Sequence, residues 1–292
     1  MEIALSQPFN PEELLWFLSR GYDETIYKVE GRSIYRAFLA DKEKILVKIT
    51  PYNHVISIDW LQGLPNETVI DFISEWLDLE TNLSGFYDLL RADPILDYMA
   101  DDYKGLKLVG MPDLFEALCW AIIGQQINLT FAYKLKRRLV EKYGEFIDYE
   151  DTRYYLFPAP EVLMEATPED LKTMQFSGSK ASYLINMAAA FVSGDIYKDK
   201  LLNLPQNERL ALLTGLRGVG TWTANYALMK SLRDPGAIPY GDAGLLNALL
   251  GHGIISNKKE LQGMHALFDR FKGWEAYLVF YLWRSLAVKP LV

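Results

Sequence analysis

A single carboxylate, Asp242, stands where a broken chain turns into a helix. In AIPYGDAGLLNALL, Pro239 and Gly241 precede it and an apolar helical run follows. An Asp in that place is a natural helix cap, its oxygen accepting backbone N–H groups. It also suits catalysis. An ionised carboxylate beside a sugar offsets the charge that builds when an N-glycosidic bond breaks, and orients or deprotonates an attacking water. Twenty residues upstream lies Trp222, and Tyr226 is four residues further on, so the two share one helix face. Trp274, ahead of the helical run EAYLVFYLW, supplies another large ring. Such rings either pack a core or together form an electron-rich slot that favours a base carrying positive charge.

The stretch LRGVGTWTANYALMK, Leu216 to Lys230, joins two helical patterns through a tight Gly-Val-Gly turn. Gly218 and Gly220 accept positive φ without penalty and let another backbone approach closely. The N–H groups opening the second helix favour an anion. A phosphodiester contacted there would position a duplex without reading its sequence. Taken by itself, a Gly-x-Gly turn between helices also serves as a plain C-cap and loop.

These features need a scaffold, and the chain of 292 residues supplies one. Half of it is hydrophobic, with 13% aromatic, enough for a substantial core and against global disorder. The first part mixes element types. Pro11–Arg20 reads as a helix capped by Asn10. Arg32–Ala40, Lys44–Thr50 and His54–Trp60 read as strands, with a turn at Asp41–Glu43, and Asn66–Leu79 has helical spacing. From about Phe86 helical segments split by Gly and Pro take over. The expected fold is α+β: an N-terminal α+β domain with an antiparallel sheet (residues 1–85), then a mostly α-helical region (86–292) of two helical subdomains, with the hairpin at 214–222.

Charge is unevenly spread. The net charge is −8, yet residues 1–110 hold 10 Lys/Arg against 19 Asp/Glu, while the remainder holds 20 against 19. Arg209, Arg217, Lys230 and Arg233 occur in a stretch without acids, and Lys134, Lys136, Arg137, Arg138 and Lys142 in another with Glu141 alone. Local fields of this sign suit a polyanion, although ordinary solvated helix faces look the same. The single cysteine, Cys119, excludes an intrachain disulfide and a four-cysteine iron–sulfur cluster. His54, His252 and His265 have no metal-ligand spacing. No apolar run reaches membrane-spanning length, and the N-terminus lacks a basic leader region. A cytoplasmic location is therefore expected.

The hairpin LRGVGTWTANYALMK followed by PYGDAGLL resembles the helix-hairpin-helix Gly/Pro…Asp (HhH-GPD) DNA glycosylases, and within them the AlkA-type 3-methyladenine DNA glycosylases II. FEALCWAIIGQQIN, FPAPEVLMEATPEDLKTMQFSGSKASYLINMA and WEAYLVFYLW also have counterparts there, and so, more weakly, does the N-terminal unit. The resemblance implies that damaged double-stranded DNA is the partner and that the damaged nucleotide is flipped out of the stack. It makes Asp242 the catalytic residue and Trp222, Tyr226 and Trp274 the base pocket. It assigns the phosphate to main-chain N–H groups of Gly218, Gly220, Thr221 and Thr223. A monovalent cation, Na or K, falls to the carbonyls of Thr214, Leu216 and Val219, and no other cofactor is expected. The wedge that fills the gap left by the flipped base falls on Gln126. A monomer is expected.

Three departures from that pattern matter. Ala243 follows Asp242 where an aromatic ring can stand. Gln126 replaces an apolar wedge. Trp222 occupies the place of the lysine nucleophile that bifunctional members carry. A lysine there would form a Schiff base and allow strand scission; without it, water is the expected nucleophile and an abasic site the product. Hydrolytic removal of N3- or N7-methylated purines leads. A bifunctional oxidised-purine glycosylase/lyase and a non-catalytic damaged-DNA-binding module stay open.

Overall fold

The computed structural model describes residues 1–287. The chain opens with strand β1 (Glu2–Ala4) and helix α1 (Pro11–Leu18), then strands β2 (Tyr27–Glu30), β3 (Ser33–Ala40), β4 (Glu43–Pro51) and β5 (Val55–Gln62). These form one antiparallel sheet in the order β1-β5-β4-β3-β2. Ile34 pairs with Ile49, and Ile49 with Ile58. Their side chains point to one face and are fully buried, as period-two alternation requires. The three strands read from the sequence are present. The sheet gains two more, β1 and β2, which are too short to show an alternating pattern.

Helices α2 (Glu67–Leu77), α3 (Ser84–Ala92) and the short α4 (Met99–Asp102) lead into α5 (Leu114–Gly124) and α6 (Leu129–Tyr143). Most of α5 is buried on every side, the sign of a central helix. Asn10, Asn66, Asp113 and Asn128 cap α1, α2, α5 and α6 with side-chain oxygens. Next comes an element absent from the expectation of a helical second part: strands β6 (Phe146–Tyr149) and β7 (Thr152–Tyr155) form a hairpin. Tyr154 of β7 stacks on Tyr35 of β3 at 5.9 Å, so the hairpin covers the outer face of the N-terminal sheet. Four-residue strands carry too little periodicity to be read locally.

The rest is helical: α7 (Pro160–Met164), α8 (Pro168–Thr173), α9 (Gly178–Val192), α10 (Lys198–Leu202), α11 (Gln206–Thr214), α12 (Thr221–Ala227), which runs into a π-helical turn (Leu228–Leu232), α13 (Ala243–Gly251), α14 (Leu261–Arg270) and α15 (Glu275–Ser285). One hydrophobic core runs from Phe9 through the sheet to Leu282. Buried charge crosses between sheet unit and helices. Arg284 of α15 makes a bidentate pair with Glu13 of α1, at 2.5 and 3.0 Å. Glu116 of α5 receives Lys136 at 3.0 Å and Arg36 of β3 at 3.4 Å. Burial works to raise the Glu116 carboxyl, yet the two cations outweigh it and hold it below the ordinary glutamate range.

Candidate active site

The hairpin forms between α11 and α12. Gly218 sits at φ +92°, and a Cβ there would lie 2.3 Å from the Tyr183 ring of α9. Only glycine meets both demands. Gly220 differs: its φ is −88°, and nothing lies within 4 Å of where its Cβ would be. It is the N-cap of α12 and offers no side-chain cap, so the first N–H groups of the helix stay open to a ligand. Thr221 and Arg217 are exposed beside it. Thr223 is not; it is 1% exposed, and its hydroxyl accepts the Gln125 amide at 2.9 Å. The Thr223 side chain is thus turned inward as a structural bond, which leaves only its main-chain N–H for the expected phosphate contact.

Gln125 is a residue the sequence reading passed over. Its amide nitrogen donates to the Gly218 carbonyl (3.0 Å) as well as to Thr223, clamping the hairpin to the end of α5. Lys180 of α9 secures the same end, donating to the Ile123 carbonyl at 2.7 Å. Gln126 therefore projects beside the hairpin, exposed, with φ +57°. A left-handed glutamine is held at some cost in strain. Among the carbonyls expected at a cation, that of Leu216 accepts the Val219 N–H at 3.1 Å, and the Thr214 hydroxyl bonds back to Leu210 at 2.8 Å. Among the described residues no group of three His, Cys, Asp or Glu side chains could hold a metal ion.

Asp242 follows Gly241, whose φ of +85° turns the chain, and caps α13. Its Oδ1 accepts the Leu245 N–H at 2.7 Å and the indole N–H of Trp283 at 2.9 Å. Its Oδ2 accepts the indole N–H of Trp222 at 3.2 Å. The residue is half-buried. Three N–H donors thus hold one carboxylate that keeps part of its surface exposed. Gly244 makes room for this: a Cβ there would lie 3.1 Å from Asp242 Oδ1 and 3.2 Å from the Trp283 ring.

The rings form a file. Trp222 stacks on Tyr226 at 5.5 Å and 30°, and Tyr226 faces Trp283 at 6.1 Å. The Tyr226 hydroxyl accepts from Trp120 at 3.0 Å, and burial raises its phenol well above the ordinary range, so it stays neutral. Trp274 is elsewhere. It precedes α15 and packs on Phe86 at 5.7 Å and Tyr277 at 5.8 Å. Nine residues of helix, roughly 13 Å of rise, separate it from Trp283. The third ring beside Asp242 is Trp283, hidden in the sequence inside a continuously apolar helix.

A helix-hairpin-helix, with open amides at the second helix and a capped Asp one helix later among indoles, defines a DNA-repair architecture. The chain belongs to the HhH-GPD superfamily of base excision DNA repair proteins, whose family model matches residues 119–272. It is 34% identical over 291 residues to a DNA-3-methyladenine glycosylase of Bacillus subtilis, covering 97% of this chain and 96% of that one. Its fold superposes on a 3-methyladenine DNA glycosylase from Archaeoglobus fulgidus over all of both chains, with TM-score 0.85 and 24% identity. It also matches an 8-oxoguanine glycosylase/lyase of Clostridium acetobutylicum in complex with double-stranded DNA (TM-score 0.77, 19% identity, 98% of this chain and 97% of that one).

Proposed function

We propose that the protein is a monofunctional DNA glycosylase that binds damaged duplex DNA, extrudes an N3- or N7-methylated purine nucleotide and hydrolyses its N-glycosidic bond, leaving an abasic site. The observation that carries this reading is the half-buried Asp242 carboxylate, held by Trp222, Trp283 and the Leu245 amide next to an open hairpin. The bond between C1′ and the base nitrogen breaks with its electron pair leaving on the base. The oxocarbenium character at C1′ is offset by Asp242, and water adds there, its proton passing to the carboxylate or to solvent. A methylated purine is cationic before cleavage and departs neutral, so it needs no general acid.

The aromatic file of Trp222, Tyr226 and Trp283 would select such bases through cation–π attraction. Open amides from Gly220 and Thr221 would hold a backbone phosphate, with Arg217 adding charge. Exposed Gln126 would enter the duplex and bond the orphaned partner base. The neutral carbonyls of Thr214, Leu216 and Val219 suit a monovalent cation better than a divalent one, which demands carboxylate charge; bound there, the ion would stiffen the turn. Ala243 leaves the slot open beside Asp242.

Against lyase chemistry stands Trp222 at the position after Gly220-Thr221. Lys180, near the hairpin, is bonded to the Ile123 carbonyl, and Lys230 is buried. We expect a monomer acting on chromosomal DNA in the cytoplasm; among the described residues no helix is long and apolar enough to cross a membrane.

The test is a gel assay of single-lesion duplexes with and without alkali, run with wild type and Asp242→Asn. Wild type should give strand breaks only after alkali, and the variant about 10²- to 10⁴-fold less product. Base release undiminished in the variant would remove Asp242 from the chemistry. A borohydride-trapped protein–DNA adduct would instead favour the lyase.

A further inference from the structure

The aromatic file does not end at Tyr226. Trp120, which donates to the Tyr226 hydroxyl, packs on Tyr133 of α6 at 4.6 Å, and Tyr133 stacks on Tyr22 at 4.7 Å and 6°. Tyr22 belongs to the N-terminal unit, just after α1. From α1 itself, Phe17 packs on Phe280 of α15 at 5.0 Å, three residues before Trp283. A continuous wall of rings thus runs from Asp242 to the N-terminal unit.

On that wall lies one guanidinium. Arg20 Cζ is 4.0 Å from the Phe17 ring centroid and 5.5 Å from that of Tyr22, and its Nε donates to the Phe17 carbonyl at 2.9 Å. Its charge acts on both the Tyr133 and the Tyr226 phenols, and that of Asp242 acts on Tyr226 too. Among the described residues no carboxylate lies within ion-pair distance of it. The side chain is exposed. With five N–H groups, a guanidinium bonded through one of them to the Phe17 carbonyl has donors to spare. Held over aromatic rings on the wall that runs to Asp242, and tied at Nε, it has a restricted direction in which to offer them.

We propose that Arg20 is a specificity-determining residue: its remaining guanidinium N–H groups, presented from the N-terminal unit, bond the acceptor edge of an extruded purine and so favour departure of neutral bases over cationic ones. This rests on the glycosylase reading of Asp242. A neutral purine takes the electron pair of the C1′–N bond and leaves as an anion, later protonated by water; a cation bonded to its edge stabilises the developing negative charge. A methylated, cationic purine leaves neutral and gains nothing, while the like charge nearby opposes its entry. The aromatic file and Arg20 thus pull in opposite directions, and together they widen the range of bases released.

The test compares hypoxanthine, as the neutral probe, with 7-methylguanine under single-turnover conditions, for wild type, Arg20→Ala and Arg20→Lys. Arg20→Ala should lose roughly ten- to a hundredfold in hypoxanthine release, the scale of one charge-assisted bond. Its 7-methylguanine release should be unchanged or a few-fold faster, and Arg20→Lys should recover part of the hypoxanthine loss. Equal losses on both bases, or no loss on hypoxanthine, would overturn the proposal. Wild type that releases 7-methylguanine but no hypoxanthine would overturn it too, while leaving the alkylpurine reading intact; the reverse pattern would sink that reading and spare this one. Arg20 is exposed, so a thermal unfolding curve matching wild type is the expected control.

Discussion

Trp283 and the Leu245 amide converge on the same oxygen of Asp242, at 2.9 and 2.7 Å. The other oxygen takes only the longer 3.2 Å bond from Trp222. A carboxylate oxygen has more than one lone-pair direction. Oδ1 is therefore the oxygen that positions the group, and Oδ2 the one with capacity left for a sugar or a water. The indole of Trp283 thus combines two contacts, a ring against Tyr226 and a tether for the carboxylate proposed to be catalytic.

Trp283→Phe separates those contacts, since it keeps a ring and removes the donor. Single-turnover base release should fall by about 10- to 100-fold, the worth of one hydrogen bond to a charged group. Affinity for a duplex carrying an abasic site should hold. An unchanged release rate would show that the tether has no part in catalysis.

The two hairpin glycines should respond in opposite ways. Gly218→Ala places a Cβ into the Tyr183 ring at positive φ and should cost about 1–3 kcal/mol in stability. Gly220→Ala meets open space at an ordinary φ and should leave stability near wild type. Gly220→Glu should fold as well, yet weaken binding to every duplex alike by setting negative charge against a phosphate. Thermal unfolding and fluorescence anisotropy read the two effects; wild-type DNA affinity in folded Gly220→Glu would take the hairpin out of the interface.

Gln125→Ala removes the donor shared by the Gly218 carbonyl and the Thr223 hydroxyl. We expect a loss of about 1–3 kcal/mol and weaker DNA binding, with the rate of base release from the saturated complex preserved. A fall in that rate at unchanged affinity would contradict a purely positioning role for this side chain.

Trp274→Ala should act on the fold alone. The side chain packs against Phe86 and Tyr277, and its loss should cost about 3 kcal/mol or more. Activity per folded molecule should persist, whereas Trp222→Ala should lose base release. Comparable activity losses with intact folds would return Trp274 to the base slot.

Lys230 predicts a pH dependence. It lies 4% exposed between the rings of Phe17 and Phe280, with its amine on the Val109 carbonyl. Burial, with Arg20 and Arg233 adding repulsion, lowers its pKa to about 7. The unfolded chain has the usual lysine value of about 10.4. Between these values the unfolded state holds a proton that the folded state lacks, so stability contributed here is complete above the unfolded value and is lost as pH falls toward 7. Lys230→Met should therefore gain on wild type, by an amount on the order of a few kcal/mol larger at pH 6 than at pH 10.5. Urea unfolding of both proteins at the two pH values measures it, and a difference independent of pH would refute the assignment.

The local features of the fold and site were legible in the sequence. Gly218 and Gly220 announce the turn because only the backbone of a few residues decides it, and Asp242 announces a cap for the same reason. Asn10 and Asn66 mark helix starts, Arg32–Ala40 and Lys44–Thr50 read as strands around a turn, and the alternation in His54–Trp60 marks a third, since each pattern lies within one element. Trp222 and Tyr226 share a face by helical geometry alone.

Tertiary structure decided the rest. The tether from Trp283 spans 41 residues and the Gln125 clamps span 93 and 98, so no local pattern encodes them. Trp274 precedes and Trp283 lies within one apolar helix, and only the packing of α13 against α15 determines which ring reaches Asp242. The inward turn of Thr223, the β6–β7 hairpin against β3, and the arrival of Arg20 beside the aromatic wall share that cause. A side chain's partner across the core is chosen by how faces of separate elements meet, which local propensity does not determine.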